Sequence, residues 1–70
     1  MKFLDIRRLR KDYGLTQSQF ARRMGISQAS VSNLETGKQQ STEYFIGIVA
    51  HELGIKNITD YIIESEYYKT

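Results

Sequence analysis

Residues 16–38 constrain the fold more than any other stretch, because they combine two short helical patterns with one glycine between them. Six apolar or small residues recur at helical spacing, as expected for two crossed helices that pack together. They are Phe20, Ala21, Met24, Ile26, Val31 and Leu34. Ala21 lies where the helices should approach most closely, and Gly25 can adopt the positive φ angle that a sharp turn requires. The stretch predicts two short helices joined by a tight turn.

Polar residues mark where both helices begin. Thr16 and Gln19 match the capping-box spacing, in which each side chain accepts from a free backbone N–H of the first turn. Ser27 is placed to cap the second helix in the same way. These local signals therefore agree with the helix boundaries that the apolar spacing predicts.

The second helix divides into a buried and an exposed face, since successive residues are rotated by about 100° around the helix axis. Val31 and Leu34 lie on the buried side, whereas the opposite side carries amides, hydroxyls and one methyl group. The residues of that opposite side are Gln28, Ala29, Ser32, Asn33 and Thr36. Such a face is often ordinary solvated surface, but amides can pair with adenine and a methyl group with thymine in the major groove. With the turn, the caps and the local charge beside it, we interpret it as a base-contacting face.

Charge is distributed unevenly along the chain. Residues 1–38 hold eight of the ten Lys and Arg against three acidic residues, and residues 39–70 hold two against five. Lys and Arg contacts to phosphates supply most of the affinity that is independent of DNA sequence. The distribution predicts that duplex DNA binds the N-terminal half and that the C-terminal half faces away from it.

Composition limits the chain to one small domain over residues 1–70, near the size where a single core stabilises a fold only marginally. The absence of cysteine excludes disulfides, thiolate zinc sites and cysteine nucleophiles. No apolar run approaches the roughly 18 residues of a membrane span. We therefore expect a cytoplasmic protein that does not contact the membrane, and for which oligomerisation is a plausible aid to stability.

The glycines divide the chain into five predicted helices, which gives an all-α class. The first runs from about Lys2 to Tyr13, with an apolar stripe at helical spacing formed by Phe3, Ile6, Leu9 and Tyr13. The second and third are those of residues 16–38. The fourth begins near Ser41 or Thr42 and stops at Gly54, and the fifth, capped near Asn57, ends at Ile63. No segment predicts a strand, and residues 64–70 form a polar tail that is either flexible or part of a dimer.

The stretch from Ile6 to Ile63 resembles the lambda-repressor-like, Cro/C1-type (XRE) family of helix-turn-helix regulators. The residues that carry the resemblance are Leu15-Thr16-Gln17, Phe20-Ala21, Met24-Gly25-Ile26-Ser27, Val31-Ser32, Leu34-Glu35, Gly37-Lys38, Val49-Ala50 and Leu53-Gly54-Ile55. The resemblance implies a compact five-helix DNA-binding domain without a cofactor. One departure is Ser41, which stands where the family loop often has proline and which we expect to be able to cap the fourth helix.

The resemblance also implies roles for single residues. Base contacts fall to Gln28, Ala29, Ser32 and Asn33. Contacts to phosphate fall to Arg10, Gln17, Ser27, Thr36 and Lys38. In related repressors, an arginine at the Arg10 position pairs with a glutamate at the Glu35 position and braces the first helix against the reading helix.

Many such domains bind pseudo-palindromic operators as dimers. Apolar and aromatic residues of the C-terminal half favour a homodimer seam there, formed by Ile58, Tyr61 and Ile62, with Tyr67 and Tyr68 in the tail. In the alternative, Ile58 and Ile62 only close the core and the tail is disordered. The leading prediction is a sequence-specific repressor, whether phage switch, restriction–modification controller or autoregulating antitoxin.

A different class is a protein-interaction module of the antitoxin or anti-repressor type, which would use the C-terminal half to bind a partner. The base-contacting face argues against such a module without DNA. Enzyme activity is the weakest interpretation, because His51 has only Glu52 beside it and neighbouring residues of a helix do not face each other. Three carboxylates, Asp60, Glu64 and Glu66, are more typical of a solvated face than of a metal site, so we expect no metal.

Overall fold

In the computed structural model, which describes residues 2–64, four α-helices follow one another and two short strands bring the ends of the described segment together. The helices are α1 (Ile6–Asp12), α2 (Gln17–Met24), α3 (Gln28–Thr36) and α4 (Glu43–Leu53). A 3₁₀ helix (Ile58–Tyr61) precedes strand β2 (Ile62–Glu64), which pairs antiparallel with strand β1 (Lys2–Leu4). The class is mostly helical, with four α-helices instead of the five that the sequence predicted.

Hydroxyl and carboxylate side chains cap all four helices. The Asp5 carboxylate accepts from the Arg8 N–H at the start of α1, and the Thr42 hydroxyl accepts from the Phe45 N–H at the start of α4. The structure confirms the predicted caps at Thr16 and Ser27 in the same form. Because a side-chain acceptor satisfies an N–H group that has no partner within the helix, these residues fix the helix starts.

The predicted first helix was wrong at its N-terminal end. Residues 2–4 form β1, and the helix begins only at Ile6, after the Asp5 cap. Phe3 lies opposite Ile63 and Leu4 opposite Ile62, so that Leu4 is fully buried. Ile6 and Leu9 of the predicted helical stripe are buried in α1, whereas Phe3 lies in a strand whose partner is at the far end of the described chain.

The predicted fifth helix was also wrong. One turn of 3₁₀ helix ends at Tyr61, and Ile62 and Ile63 continue as β2. β-Branched side chains favour extended backbone, which suits these two isoleucines to a strand once β1 is available as a partner. Residues 65–70, including Tyr67 and Tyr68 of the predicted seam, lie outside the described residues.

The core joins α1, α2, α3 and α4 with β1. Nine hydrophobic residues are buried in it: Leu4, Ile6, Leu9, Phe20, Ala21, Met24, Val31, Leu34 and Val49. Tyr13, which the helical stripe predicted to be inside, is 42% exposed at the end of α1. The contribution of α3 to the core is confined to Val31 and Leu34, so its opposite side is left outside.

Ser41 has a different role from the predicted one. It does not cap α4; its buried hydroxyl accepts a hydrogen bond from the backbone N–H of Leu4 at 3.0 Å. This contact ties the loop between α3 and α4 to β1 and satisfies a backbone donor that the core would otherwise leave without a partner.

Candidate nucleic-acid interface

The turn between α2 and α3 sets the angle at which α3 leaves the core. Gly25 adopts a left-handed conformation with φ 72°, and the Ile26 N–H donates to the Ala21 carbonyl. A residue with a Cβ atom is strained in that conformation, so glycine permits the sharp reversal. With Ala21 buried at the contact between the helices, α3 packs closely on α2 and presents its other side to solvent.

The exposed side of α3 begins at its first residue. Gln28 and Ala29 are exposed, and Ser32 and Asn33 are half-buried on the following turn. No charged residue lies among these four, and the hydrogen bonds within residues 2–64 leave the Gln28 amide free. The four predicted base-contacting residues are therefore brought together on one accessible helix face, which begins beside the start of α2.

An open cleft of about 550 Å³ lies between the end of α1, the start of α2 and the start of α3. Its lining residues are Arg10, Lys11, Gly14, Leu15, Thr16, Gln17, Ser18 and Gln28. The capping box uses the N–H groups of Thr16 and Gln19, which leaves the N–H groups of Gln17 and Ser18 without acceptors inside the helix. Two cationic side chains and a helix N-terminus at one cleft suit an anion such as phosphate.

Lys11 is the cleft residue that sequence reasoning missed as a site residue. It follows Arg10 at the end of α1 and lines the same cleft as Gln17 and Gln28. The signal was present in the basic run of residues 7–11, but the family pattern assigned a role only to Arg10. The tertiary placement of the end of α1 beside α2 brings Lys11 to the cleft.

Glu35 holds together the side of the cleft formed by α1 and α2. Its Oε2 lies 2.7 Å from Arg10 Nε, and its Oε1 accepts from Gln17 Nε2 at 3.1 Å. Arg10 Nη2 and Arg7 Nε also reach Oε1, each at 3.4 Å. The Glu35 side chain is only 1% exposed, compared with 13% for Arg10 and 63% for Arg7. The structure thus places the predicted partners Arg10 and Glu35 in direct contact.

Burial and hydrogen bonding act in opposite directions on the Glu35 carboxylate. Burial alone raises the pKa of Glu35, but hydrogen bonds from Arg10, Gln17 and Arg7, with the Arg10 charge, outweigh it and hold the pKa below its ordinary value. The carboxylate is therefore ionised at neutral pH, where it can only accept hydrogen bonds.

The other predicted phosphate contacts differ in how free their side chains are. Lys38 is exposed in the turn after α3. The Ser27 hydroxyl accepts from the Ser30 N–H and donates to Ser30 Oγ, and the Thr36 hydroxyl donates to the Ser32 carbonyl. Both hydroxyls are thus already engaged within α3, whereas the Lys38 ammonium group extends toward solvent.

The C-terminal surface contains a shallow groove of about 600 Å³ beside the start of α4. Ile46, Ile58 and Ile62 provide its apolar part. Tyr61 instead faces α1: its hydroxyl donates to Asp12 Oδ2 at 2.7 Å, and the Arg8 guanidinium carbon lies 4.8 Å from the ring centre. The hydrogen bond to Asp12 raises the pKa of Tyr61. All three predicted seam residues are half-buried and pack against the core, as in the alternative in which Ile58 and Ile62 close it, and Ile58 and Ile62 also line the groove.

The residues weighed for catalysis and metal binding lie on the surface where the structure describes them. His51 is exposed on α4, and Asp60 and Glu64 are exposed near the C-terminal end of the described chain, whereas Glu66 lies outside the described residues. Within residues 2–64, no three His, Asp or Glu side chains form a group that could hold a metal ion. None of the helices described is both long and apolar enough to cross a membrane.

Comparison with known proteins gives one family and two relatives. The family model described as Helix-turn-helix matches residues 6–59. An uncharacterized HTH-type transcriptional regulator of Methanothermobacter thermautotrophicus is 34% identical over 61 residues, which cover 87% of this chain and 88% of the relative. The uncharacterized HTH-type transcriptional regulator y4dJ of Sinorhizobium fredii is 37% identical over 51 residues, or 73% of this chain and 66% of that protein. No solved structure gives a significant match.

Proposed function

The chain belongs to the helix-turn-helix family of the XRE type, and from this membership we propose that this DNA-binding transcriptional regulator is a repressor that reads a pseudo-palindromic operator as a homodimer. One observation carries the proposal: the uncharged, accessible face of α3 lies beside the cationic cleft at the start of α2. A regulator of this kind that occupies a promoter represses by excluding other proteins. Its site of action is the cytoplasm, and residues 1–70 act as a single domain.

We assign sequence reading to the start and middle of α3. The Gln28 amide can donate to N7 and accept from N6 of adenine at once when the helix lies in the major groove. Ala29 offers a methyl contact to thymine, and Ser32 and Asn33 lie one turn further along the same face. Because Ala29 forms no side-chain hydrogen bond, specificity at its base step rests on methyl contact and on DNA shape.

Phosphate contacts flank this face. Arg10, Lys11 and Gln17 line the cleft, where the free N–H groups at the start of α2 add to their attraction for an anion. Lys38 lies at the other end of α3 and can reach the backbone there. Ser27 and Thr36 contribute only if their hydroxyls accept or exchange a hydrogen bond on binding, since both are engaged within α3.

The homodimer uses the groove beside the start of α4. Its apolar residues, Ile46, Ile58 and Ile62, lie in the acidic half of the chain, away from the cationic cleft. A two-fold dimer places the same patch of both copies in contact, so one groove per protomer is sufficient for a closed pair. Tyr61, which directly precedes Ile62, is held by its contacts with Asp12 and Arg8 of α1.

The direct test is selection of binding sites from a random duplex pool at near-physiological salt. We expect enrichment of a two-fold-symmetric sequence whose half-site centres lie about 34 Å apart, one turn of the duplex. A single, non-symmetric half-site would refute the dimeric operator and leave sequence-specific binding intact. No enrichment, together with weak and steeply salt-dependent binding, would refute the repressor proposal, because that behaviour is typical of contacts to phosphate alone.

A further inference from the structure

The side-chain amide of Gln17 has two possible orientations, and its neighbours distinguish them. Its Nε2 donates to Oε1 of Glu35 at 3.1 Å. The other oxygen of that carboxylate, Oε2, accepts from Arg10 Nε. Arg10 Nη1 donates to the Leu15 carbonyl at 3.1 Å, which holds the guanidinium in place from its other side. Gln17 therefore meets a carboxylate whose position is already fixed by α1.

An ionised carboxylate has no hydrogen to donate, so it accepts from an amide nitrogen and repels an amide oxygen. Contact with Glu35 thus selects the orientation in which Nε2 of Gln17 faces the carboxylate. The amide nitrogen carries two hydrogens, and Glu35 uses one of them. The second N–H remains available at the cleft that Gln17 shares with Lys11 and Gln28.

We infer that Glu35 is a positioning residue for DNA binding, which acts by holding the Gln17 amide in the donor orientation at the phosphate cleft. This rests on the proposed function, in which Gln17 contacts the DNA backbone. Glu35 touches no DNA in this scheme, because its side chain is almost fully buried. Its negative charge opposes DNA binding, yet its removal should weaken binding by releasing Gln17.

The test is a double-mutant cycle of Glu35→Gln and Gln17→Ala, with Kd measured on the duplex enriched from the random pool. Arg10 Nε and Gln17 Nε2 donate to different oxygens of Glu35, and an amide at position 35 keeps an oxygen in only one of those two places. Its NH₂ group then faces one of the two donors, which loses its acceptor. We expect Gln17→Ala to weaken binding roughly three- to tenfold when Glu35 is present and less than about twofold when it is replaced. Equal losses in both backgrounds, or no loss from Gln17→Ala, would overturn the inference.

Glu52→Gln is the matched control, because it removes an exposed carboxylate from α4 in the acidic half. Both substitutions raise the net charge by one, and charge alone would tighten binding. We expect Glu52→Gln to leave Kd within about twofold of the wild-type value, as for other exposed charges far from a site. If Glu35→Gln tightened binding as much as Glu52→Gln does, Glu35 would have only an electrostatic effect.

A second measurement needs no variant and no DNA. In the NMR spectrum of the wild-type chain, one of the two Gln17 side-chain amide hydrogens should exchange with solvent more slowly than those of exposed Gln39. Exchange of both at the rate seen for Gln39 would overturn the inference even if Glu35→Gln failed to fold. If the wild-type chain enriched no duplex, the proposed function would fail, whereas additive losses on an enriched duplex would remove only the role of Glu35.

Discussion

Arg10 and Glu35, 25 positions apart in the chain, form a nearly buried ion pair with Nε 2.7 Å from Oε2. The pair links the end of α1 to the last turn of α3, so it stabilises the fold and holds Arg10, which lines the cleft, in place. Desolvated charges are costly unless both are paired and hydrogen-bonded, and here each has additional partners. One contact therefore serves both folding and the placement of side chains that we propose to bind DNA.

Replacement of this arginine should affect folding and DNA binding together. Arg10→Ala leaves a buried carboxylate without its shortest hydrogen bond, and we expect the free energy of unfolding to fall by roughly 2 kcal/mol. Binding to all duplexes should weaken as well, since a phosphate contact carries no sequence information. Urea denaturation and Kd on selected and scrambled duplexes measure both effects. Arg7→Ala is the control, and an equal loss of stability from that exposed partner would contradict the assignment.

The lowered pKa of Glu35 predicts how stability changes with acidity. Its ordinary value is 4.5, and the folded value lies below it, so ionised Glu35 stabilises the fold fully at a pH above 4.5. This contribution is lost as the pH falls through the folded pKa, because the native state must then take up a proton. The difference in unfolding free energy between the wild type and Glu35→Gln should therefore shrink below pH 4.5. A difference that stayed constant there would show that no titration of Glu35 is coupled to folding.

The buried hydroxyl of Ser41 provides a test of the contact between β1 and the loop before α4. Ser41→Ala removes the acceptor of the Leu4 N–H, and an unsatisfied buried donor costs about 1–3 kcal/mol. Thermal unfolding should show this loss, whereas Ser18→Ala, at an exposed position of α2, should leave stability within about 0.5 kcal/mol of the wild type. Similar melting of the two variants would mean that the Leu4 N–H is satisfied in another way.

Gln28 and Lys38 should differ in what their removal does to specificity. Gln28→Ala should cost about 1–3 kcal/mol on the selected duplex and relax the preference at one base step. Lys38→Ala should instead weaken binding to all duplexes. It should also reduce the slope of log Kd against log salt concentration by about one, because one phosphate contact is lost. Kd on single-base variants of the selected site at two salt concentrations separates these outcomes. An equal loss of affinity on every duplex from Gln28→Ala would rule out base reading by this residue. Lys56→Ala, which removes a cation far from the cleft, is the control for Lys38→Ala.

The groove beside the start of α4 predicts how the proposed dimer responds to substitution. Thr59 is exposed at its edge and is not part of the core, so Thr59→Arg adds bulk and charge at the seam without disturbing packing. Sedimentation should show a shift from dimer to monomer, with weaker binding to the full symmetric site and unchanged binding to one half-site. His51→Arg, exposed on α4 outside the groove, is the matched control. A dimer that persisted in Thr59→Arg would locate the seam elsewhere.

Local signals explain which elements the sequence predicts. Thr16, Ser27 and Gly25 act on backbone groups within a few residues of themselves, so their roles can be inferred without knowledge of the fold. The strand pair is different: the β-branched side chain of Ile63 favours extended backbone, but nothing local to Phe3 or Ile63 shows which segment each would pair with. Each strand forms because the other supplies its hydrogen-bond partners, and the two segments meet only when the chain between them has folded.

The candidate site shows the same limit at the level of side chains. Spacing along α3 predicts that Gln28 and Ala29 share an accessible face, as they do. The contact between Gln17 and Glu35 depends on how α2 and α3 cross, and the family pattern gave Gln17 only a phosphate role. From the sequence, Tyr61 was likewise predicted only as an apolar residue of the seam, whereas in the structure its hydroxyl donates a hydrogen bond to Asp12 of α1.

The pairing of β1 with β2 also orders events during synthesis of the chain. Leu4 is synthesised before the four helices, but its partner Ile62 emerges from the ribosome only after them. Until then the segment that becomes β1 has no strand to pair with, although α2 and α3 already contain their own caps and turn. The helical part of the domain can thus begin to form during translation, while closure of the core over Leu4 waits for the last residues of the described chain.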